Sequence, residues 1–298
     1  MMMEFSFKKT RIAPTPSGYL HLGNILSFAL TAALARRTGA SMLLRIDDMD
    51  KTRAGPEYVQ DIFDTLNFLE ICWDEGPRTY AEFEREFSQV HRMGLYQEAL
   101  QQLRTEGKLF ACGCSRTTIL RDSSDGGYPG TCSNRGLPFD GADMSWRLST
   151  GGVGGGPATG GVWELPTEMR DFIVRKKDGF PAYQLVSLID DLHYGIDLVV
   201  RGEDLGPSTL AQHFLARQLG RDAFGKVRFY HHPLLKEPDG GKMSKSAGSA
   251  SIRYLRGQGF KPSDIYSMIA RMTGKDFQAG SWQELVAGLD EDWVPVLR

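Results

Sequence analysis

The amino-acid sequence predicts an α/β protein with a parallel sheet covered by helices. Two observations support this fold class: strand-like and helix-like runs alternate from the N-terminus onward, and a turn rich in proline and glycine joins the first strand to the first helix. Strands that alternate with helices pair in parallel, because each helix carries the chain back across the sheet. With 298 residues, 41% of them hydrophobic, the chain is long enough for about two domains.

The individual elements are predicted from hydrophobic spacing and from residues typical of helix ends. Strands are expected at 9–14, 41–47, 108–112, 171–175 and 197–201. Helices are expected at 24–37, 57–69, 82–107 and 207–219, with short helices over 262–289. The segment 113–141 is rich in turn residues, and 151–161, with seven glycines in eleven positions, is typical of a flexible loop.

Composition excludes several classes of protein. The longest apolar-leaning run, 25–35, is too short to span a membrane, and 1–13 lacks the apolar stretch of a secretory signal. Four cysteines are too few for a disulfide scaffold, so we expect reduced thiols and a cytoplasmic protein. The net charge is −2, yet 217–275 holds twelve basic and four acidic residues. That surplus suits a nucleotide or RNA partner, although a solvated basic face would look the same.

The first candidate site lies in RIAPTPSGYLHLGN (11–24), between the first predicted strand and helix. A turn that leads into a helix start presents backbone N–H groups and the positive end of the helix dipole, which suits phosphate. His21 stands where its imidazole could donate a hydrogen bond to a phosphate oxygen. The alternative is an ordinary turn with Ser17 as a helix cap and a packed His21.

The second candidate site is GKMSKSAG (241–248). Lys242 and Lys245 stand three residues apart among glycines and serines, so their ammonium groups could surround a polyphosphate in a loop that opens and closes. The alternative is a basic loop of low complexity.

Taken together, the H-x-G turn and the K-M-S-K-S segment about 220 residues later resemble the signature motifs of class I aminoacyl-tRNA synthetases. Three further segments resemble the glutamyl/glutaminyl branch of that class: RIDDMDKTR (45–53), DFIVRKKDGFPAYQLVSLIDD (171–191) and VVRGEDLGPSTLAQ (199–212). The resemblance covers most of 11–245. It implies a Rossmann-like catalytic domain that uses ATP with Mg²⁺ as a substrate.

The resemblance also implies roles for the residues that match the family motifs. At ATP it implies catalysis by charge stabilisation from Lys245, assisted by Lys242 and His21, with Gly23 and Ser244 beside the nucleotide. Around a glutamate substrate it implies side chains that bind carboxylate oxygens, line the pocket or hold the ammonium group: Arg11, Arg201, Tyr183, Thr15 and Asp47. Three of the matched positions depart from the family pattern, where Glu, Ser and a second His are usual: Asp47, Thr15 and Asn24.

Three of the four cysteines lie close together as C-G-C at 112–114 and Y-P-G-T-C at 128–132. Three thiolates alone fall short of the four ligands that zinc prefers, so inert thiols remain an alternative. The pattern resembles the zinc site of glutamyl-queuosine tRNA(Asp) synthetases, in which a tyrosine supplies the fourth ligand. The resemblance implies one structural Zn²⁺ held by the four residues Cys112, Cys114, Tyr128 and Cys132. Cys72 lies outside the pattern and is expected to be a buried small hydrophobe.

The resemblance implies a domain order along the chain. The Rossmann-like catalytic domain is expected in two halves, 1–107 and 171–248, with an inserted zinc-binding subdomain at 108–170 between them. A short helical segment is expected at 249–298, with no anticodon-binding domain.

The reaction implied by the resemblance is tRNA-independent activation of L-glutamate with ATP. Transfer of glutamate to queuosine in the anticodon of tRNA(Asp) would follow. A monomer is the simplest expectation. Two alternatives stay open: a glutamyl-tRNA synthetase that charges the tRNA 3′ end, and a non-catalytic relative that binds tRNA or amino acid.

Overall fold

The computed structural model describes residues 6–151, 165–235 and 251–294. The chain divides into two compact units. The first unit comprises Met1–His91, Gly195–Asp204 and Val227–Arg298, and the second comprises Arg92–Tyr194 and Leu205–Lys226. In this division, residues 92–107 fall in the same unit as the cysteine-containing segment. The four-part domain order expected from the sequence stays a prediction.

Seven strands and ten α-helices are defined within the described ranges. The strands are β1 (Lys9–Ile12), β2 (Ser41–Leu44), β3 (Leu109–Cys112), β4 (Ser145–Leu148), β5 (Ile173–Arg175), β6 (Leu198–Gly202) and β7 (Arg228–His232). The helices are α1 (Leu22–Thr38), α2 (Pro56–Phe68), α3 (Tyr80–Glu82), α4 (Met93–Thr105), α5 (Arg116–Asp122), α6 (Tyr183–His193), α7 (Gly206–Gln218), α8 (Ile252–Gly257), α9 (Pro262–Met272) and α10 (Trp282–Ala287). No helix in the described ranges has the length and apolar character needed to cross a bilayer.

The first unit contains a four-stranded parallel sheet in the order β2-β1-β6-β7, which confirms the predicted parallel α/β fold. The chain leaves β1 toward β2 on one side, and later adds β6 and β7 on the other side. The strand order therefore reverses between β1 and β6. At such a switch point, ligands of open α/β sheets bind beyond the carboxyl ends of the strands.

Helix α1 forms the centre of the first unit's core. Ten of its 17 residues are buried, and it contacts β1, β6, α9 and α10. The sequence predicted this helix because its apolar residues cover most of its circumference. It ends at Gly39, whose φ of 74° is the left-handed conformation that glycine adopts without strain.

The second unit contains a three-stranded antiparallel sheet in the order β3-β4-β5. A buried polar network links two of its helices: Arg92 donates two hydrogen bonds to Asp190, at 2.7 and 2.9 Å, and the Tyr96 hydroxyl donates a third at 2.6 Å. Because all three side chains are buried, these bonds fix the position of α6.

One sequence prediction is wrong in this region. Instead of a continuous helix over 82–107, the chain forms a π-helical turn at Phe83–Phe87, breaks at Ser88 and resumes through a 3₁₀ turn into α4. Asp48 explains the break, because its carboxylate accepts hydrogen bonds from the Ser88 hydroxyl (2.6 Å) and the Gln89 backbone N–H (2.8 Å). These bonds replace the local ones that would continue the helix.

Candidate active site and candidate metal centre

Two predicted substrate-binding arginines of the first unit lie on neighbouring parallel strands. Thr10 of β1 pairs with Leu198 of β6, and side chains alternate along a strand, so Arg11 and Arg201 face the same side of the sheet. Both side chains are buried, with 4% and 5% of their surface exposed. Two buried guanidinium groups on one sheet face, next to the switch point, suit the recognition of a carboxylate.

Two aromatic side chains of β7 surround Arg201, and neither was singled out from the sequence. The guanidinium carbon of Arg201 lies 4.9 Å from the centre of the Phe229 ring, and His231 is opposite Arg201 in the strand register. Burial, reinforced by the positive charge of Arg201, lowers the pKa of His231. The imidazole is therefore neutral at pH 7 and adds no second positive charge beside the arginine.

Asp47, the residue expected to hold an ammonium group, follows β2 at the same edge of the sheet. Its backbone N–H donates to Pro14, and its carboxylate accepts two hydrogen bonds from Arg45 (2.7 and 3.0 Å) and one from Gln89 (3.3 Å). An ionised carboxylate accepts hydrogen bonds from several donors at once, which is the chemistry that binding an ammonium group requires. The sequence did not indicate that Arg45 and Gln89 hold this carboxylate.

His21 caps α1 at the end of the turn that follows β1. Its backbone N–H donates to the Asn24 side chain at 3.0 Å, which gives the residue standing in place of a second histidine a capping role. A Cβ atom on Gly23 would lie 3.1 Å from the His21 ring, so glycine lets the imidazole pack close to the helix start. The first turn of α1 contains no acidic residue, so its positive dipole end favours an anion.

A described residue that follows the predicted lysine loop contacts this turn. Ser251 forms an isolated antiparallel bridge with His21, and the Ile252 N–H donates to the Leu20 carbonyl at 2.7 Å. The chain therefore returns to the β1–α1 turn just after the segment that contains the lysines.

The remaining predicted site residues lie in three parts of the chain. Thr15 is exposed in the turn after β1, and its carbonyl accepts a hydrogen bond from the Ser17 N–H. Tyr183 is the first residue of α6, in the second unit, and is 41% exposed. Three predicted ATP-site residues lie outside the described ranges: Lys242, Ser244 and Lys245.

In the second unit, the three predicted cysteine ligands meet at the end of β3. The sulfur atoms of Cys112, Cys114 and Cys132 all lie within 4.8 Å of one another, and those of Cys114 and Cys132 are 3.5 Å apart. Cys72 is separate from this group and is exposed, so the expectation that it is buried is wrong.

The Tyr128 hydroxyl belongs to the same cluster. It lies 3.3 Å from Cys112 Sγ and accepts a hydrogen bond from the Cys132 backbone N–H at 2.9 Å. Gly130, with a φ of 77°, makes the turn that brings Cys132 back to the tyrosine. One turn therefore supplies both the phenol oxygen and the third sulfur.

The spacing and chemistry of these four residues fit zinc. Thiolates about 2.3 Å from a tetrahedral zinc ion lie about 3.8 Å from one another, close to the separations seen here. Burial raises the pKa of Cys112, but the Tyr128 hydrogen bond and the Arg147 guanidinium outweigh it and bring the pKa to about 7. Burial and the neighbouring thiols raise the pKa of Cys114 to about 11. The Cys112 thiol is therefore partly ionised at neutral pH, as a metal ligand requires.

These features define a class of protein: an α/β catalytic domain of the class I synthetase type, combined with a subdomain that carries a cysteine cluster. Residues 8–125 and 157–287 match the family model described as tRNA synthetases class I (E and Q), catalytic domain. The chain belongs to this family, and it is an ATP-dependent ligase.

The chain is similar to individual members of this family and to solved structures. The chain is 35% identical to the Glutamyl-Q tRNA(Asp) synthetase of Symbiobacterium thermophilum, covering 89% of this chain and 86% of that protein. It is 31% identical to the Glutamate--tRNA ligase of Coprothermobacter proteolyticus, but spans only 62% of that protein. A crystal structure of Glutamate-tRNA Synthetase from Elizabethkingia anophelis is 20% identical, covers 97% of this chain and 67% of that one, and has a TM-score of 0.69, which supports the fold.

Proposed function

We propose that this protein activates L-glutamate with ATP, without tRNA, and transfers the glutamyl group to queuosine in the anticodon of tRNA(Asp). The observation that carries the proposal is the cluster of Cys112, Cys114, Tyr128 and Cys132 in a chain with a glutamyl/glutaminyl-type catalytic domain. The similarity to proteins named Glutamyl-Q tRNA(Asp) synthetase over most of their length supports the same activity.

The proposed reaction has two steps. First, an oxygen of the glutamate α-carboxylate attacks the α-phosphorus of ATP and pyrophosphate leaves, which gives glutamyl-adenylate. A hydroxyl on the cyclopentene ring of queuosine then attacks the glutamyl carbonyl carbon, and AMP leaves with the electron pair of the broken bond. No covalent intermediate with the enzyme is required, so catalysis consists of positioning and stabilisation of negative charge.

For the amino acid, Arg11 and Arg201 would bind carboxylate oxygens, and Asp47 would accept a hydrogen bond from the ammonium group. Their burial supports this role, because a charged group removed from water binds an opposite charge more strongly. The Arg45 pair holds Asp47 in a fixed orientation. The pocket-lining roles of Thr15 and Tyr183 stay predictions.

For the nucleotide, the helix start at His21 and Gly23 would bind phosphate oxygens, and Mg²⁺ would enter with ATP. Lys245, assisted by Lys242, would stabilise the charge that develops at the α-phosphate, with Ser244 beside the nucleotide. Ser251, which follows Lys245 by six residues in the sequence, bridges to His21, and this contact of a described neighbour supports the proposal.

We propose that Cys112, Cys114, Tyr128 and Cys132 hold one structural zinc ion. The buried thiol cluster fits such a site, in which the metal contributes folding energy rather than reaction chemistry. Thiols that bind a metal require a reducing compartment, which is consistent with a cytoplasmic protein. We further propose that the protein acts as a monomer.

The proposal is tested with glutamate-dependent exchange of labelled pyrophosphate into ATP in the absence of tRNA. We expect exchange with glutamate and at most weak exchange with aspartate or glutamine. Acid-stable transfer of labelled glutamate is then measured with tRNA(Asp) that contains or lacks queuosine. A protein that binds ATP and glutamate but exchanges no pyrophosphate would be a binding module. Equal labelling of both tRNA samples would favour the alternative of charging at the 3′ end.

A further inference from the structure

We propose that Arg147 is a positioning residue of the metal centre, which balances the negative charge of the loaded thiolate cluster and orients Tyr128 toward the metal. This inference rests on the zinc site proposed above. It concerns a residue that the sequence motifs do not mark.

Arg147 and Phe110 form a platform beneath Tyr128. The two residues are directly opposite each other in the β3–β4 pairing, so their side chains share one face of the sheet. The Arg147 guanidinium carbon lies 3.8 Å from the centre of the Tyr128 ring, and the Phe110 ring stacks on it at 6.0 Å. Cys112, two residues after Phe110, faces the same side. The platform therefore positions the phenol beside the first thiol.

The backbone is irregular at two points next to Arg147 that set the direction of its side chain. The β4–β5 register shifts between Trp146 and Arg147, and such irregularities re-aim side chains. Asp171 adopts a φ of 44°, a conformation uncommon for residues other than glycine, and its carbonyl accepts a hydrogen bond from Arg147 at 2.8 Å. Thr150 secures Asp171 with two hydrogen bonds to its carboxylate.

The charge of Arg147 lacks a counter-ion among the described residues. The residue is 5% exposed, and no carboxylate in the described ranges pairs with it. Its Nε atom is buried and has no hydrogen-bond partner in those ranges. A buried charge is costly unless an opposite charge compensates it. Three thiolates around a divalent ion carry one excess negative charge, and Arg147 supplies the matching positive charge beside them.

Two other basic residues near the cluster are placed differently. Arg170 pairs with Asp125 at 2.7 Å, so its charge is already compensated. Lys177 donates to the Gly113 carbonyl at 2.9 Å from an exposed position, where water screens its charge. Lys177→Met is therefore a matched control, since it removes a cation that contacts the backbone between Cys112 and Cys114.

The test measures zinc affinity of the full-length protein by competition with a chromogenic chelator. We expect one zinc per wild-type chain and a 10- to 100-fold weaker affinity for Arg147→Met, the usual loss when a group that supports a metal ligand is removed. In Arg147→Lys the side chain is about as long as methionine and keeps the positive charge. This variant should bind zinc at least about fivefold more tightly than Arg147→Met. Lys177→Met should stay within twofold of wild type.

Separate outcomes identify which proposal fails. Absence of stoichiometric zinc in the wild type would overturn the metal site itself and the inference with it. With zinc present, an unchanged affinity in Arg147→Met would overturn the inference alone. Equal losses in the Met and Lys variants would show a packing role rather than a charge role, and would overturn it as well. If Arg147→Met does not fold, the test uses Arg147→Lys instead. A loss of zinc affinity in Arg147→Lys as large as that in Cys112→Ser would contradict charge compensation.

Discussion

The candidate sites in the two units are built in opposite ways. In the first unit, the residues proposed to bind the amino acid come from strand ends and turns up to 190 positions apart, and the parallel sheet brings them to one edge. In the second unit, four proposed metal ligands lie within 21 residues, on one strand end and one turn. The first arrangement is fixed by the core of a folded unit, whereas the second is a local structure that a bound metal would complete.

This difference has a consequence for mutational analysis. Loss of a fold-positioned binding residue should reduce activity and leave stability intact. Loss of a metal ligand should destabilise the surrounding segment, because metal binding and local folding are one equilibrium. The following experiments test this separation.

The largest effect is expected for Cys112→Ser. Structural zinc contributes on the order of 10 kcal/mol to small metal-dependent domains, so this variant should lose its zinc and expose residues 113–141 to rapid hydrogen exchange. Metal content by atomic emission and local exchange by mass spectrometry provide the measurements. Cys72→Ser, at an exposed cysteine outside the cluster, is the matched control. Full zinc content in Cys112→Ser would mean that the ligand set is wrong.

Lys245→Ala should reduce adenylate formation by about 10²–10³-fold, as expected when one preorganised charge-stabilising group is removed. The thermal unfolding temperature should stay close to that of the wild type. Pyrophosphate exchange and thermal unfolding are measured on the same preparations, with Lys236→Ala as a control that removes a nearby charge outside the motif. A large fall in stability would assign the lysine a structural role.

Arg256→Met should destabilise the first unit without changing zinc affinity. Arg256 on α8 donates to the buried Asp61 carboxylate on α2 at 2.7 Å, and α8 begins just after the residue that bridges to His21. Breaking a buried pair costs about 3–5 kcal/mol; because Arg256 is partly exposed, about 2–3 kcal/mol is expected in denaturant unfolding.

The contribution of the Arg256–Asp61 pair to stability depends on pH. Burial raises the pKa of Asp61 above that of the unfolded chain, so the charged carboxylate destabilises the fold increasingly as the pH rises through the acidic range. The loss in Arg256→Met should therefore be smaller near pH 4 than at pH 7. Asp61→Asn combined with Arg256→Met should recover part of the stability, and failure to do so would contradict the pairing.

The smallest effect concerns His232 at the end of β7. Its Nδ1 lies 2.8 Å from the Pro233 carbonyl, to which it donates, and its Nε2 lies 2.6 Å from the Ser27 hydroxyl. Burial lowers its pKa, so the unfolded chain binds the proton more readily, and stability should fall as the pH drops below about 6.5.

The pKa of His231 is lowered as well, so His231 also makes the free energy of unfolding fall at acidic pH. Unfolding free energies at pH 5–8 should show a shallower slope for His232→Gln than for the wild type. His193→Gln, which removes an exposed histidine, is the matched control. Identical slopes in all three proteins would exclude His232 as a contributor.

The two regions also differ in what the sequence revealed. Helix α1 and strands β1, β2 and β6 were predicted because their apolar residues follow clear patterns. The cysteine cluster was predicted because its members lie close together in the sequence. Strand β7 was missed because R-F-Y-H-H shows no apolar alternation, although it places His231 and Phe229 beside Arg201. The Asp48 bonds that break the helix at Ser88 are formed across 40 positions, which local patterns do not contain.

The site residues also differ in how well the sequence predicts them. The family motifs named Arg11, Asp47 and Arg201, but the partners that hold them depend on the folded sheet. Arg147 carries no motif signal at all, and its relation to Tyr128 depends on the pairing of β3 with β4. The sequence therefore indicated the groups that would react or bind, and the structure was needed to identify those that support them.

The proposed function requires that the glutamyl group is attached to the anticodon. The direct measurement is to load tRNA(Asp) containing queuosine with labelled glutamate, cleave it with a guanosine-specific nuclease and identify the labelled fragment by mass. We predict label on the fragment that contains queuosine, with none at the 3′-terminal adenosine. Label confined to the 3′-terminal fragment would contradict the proposed function.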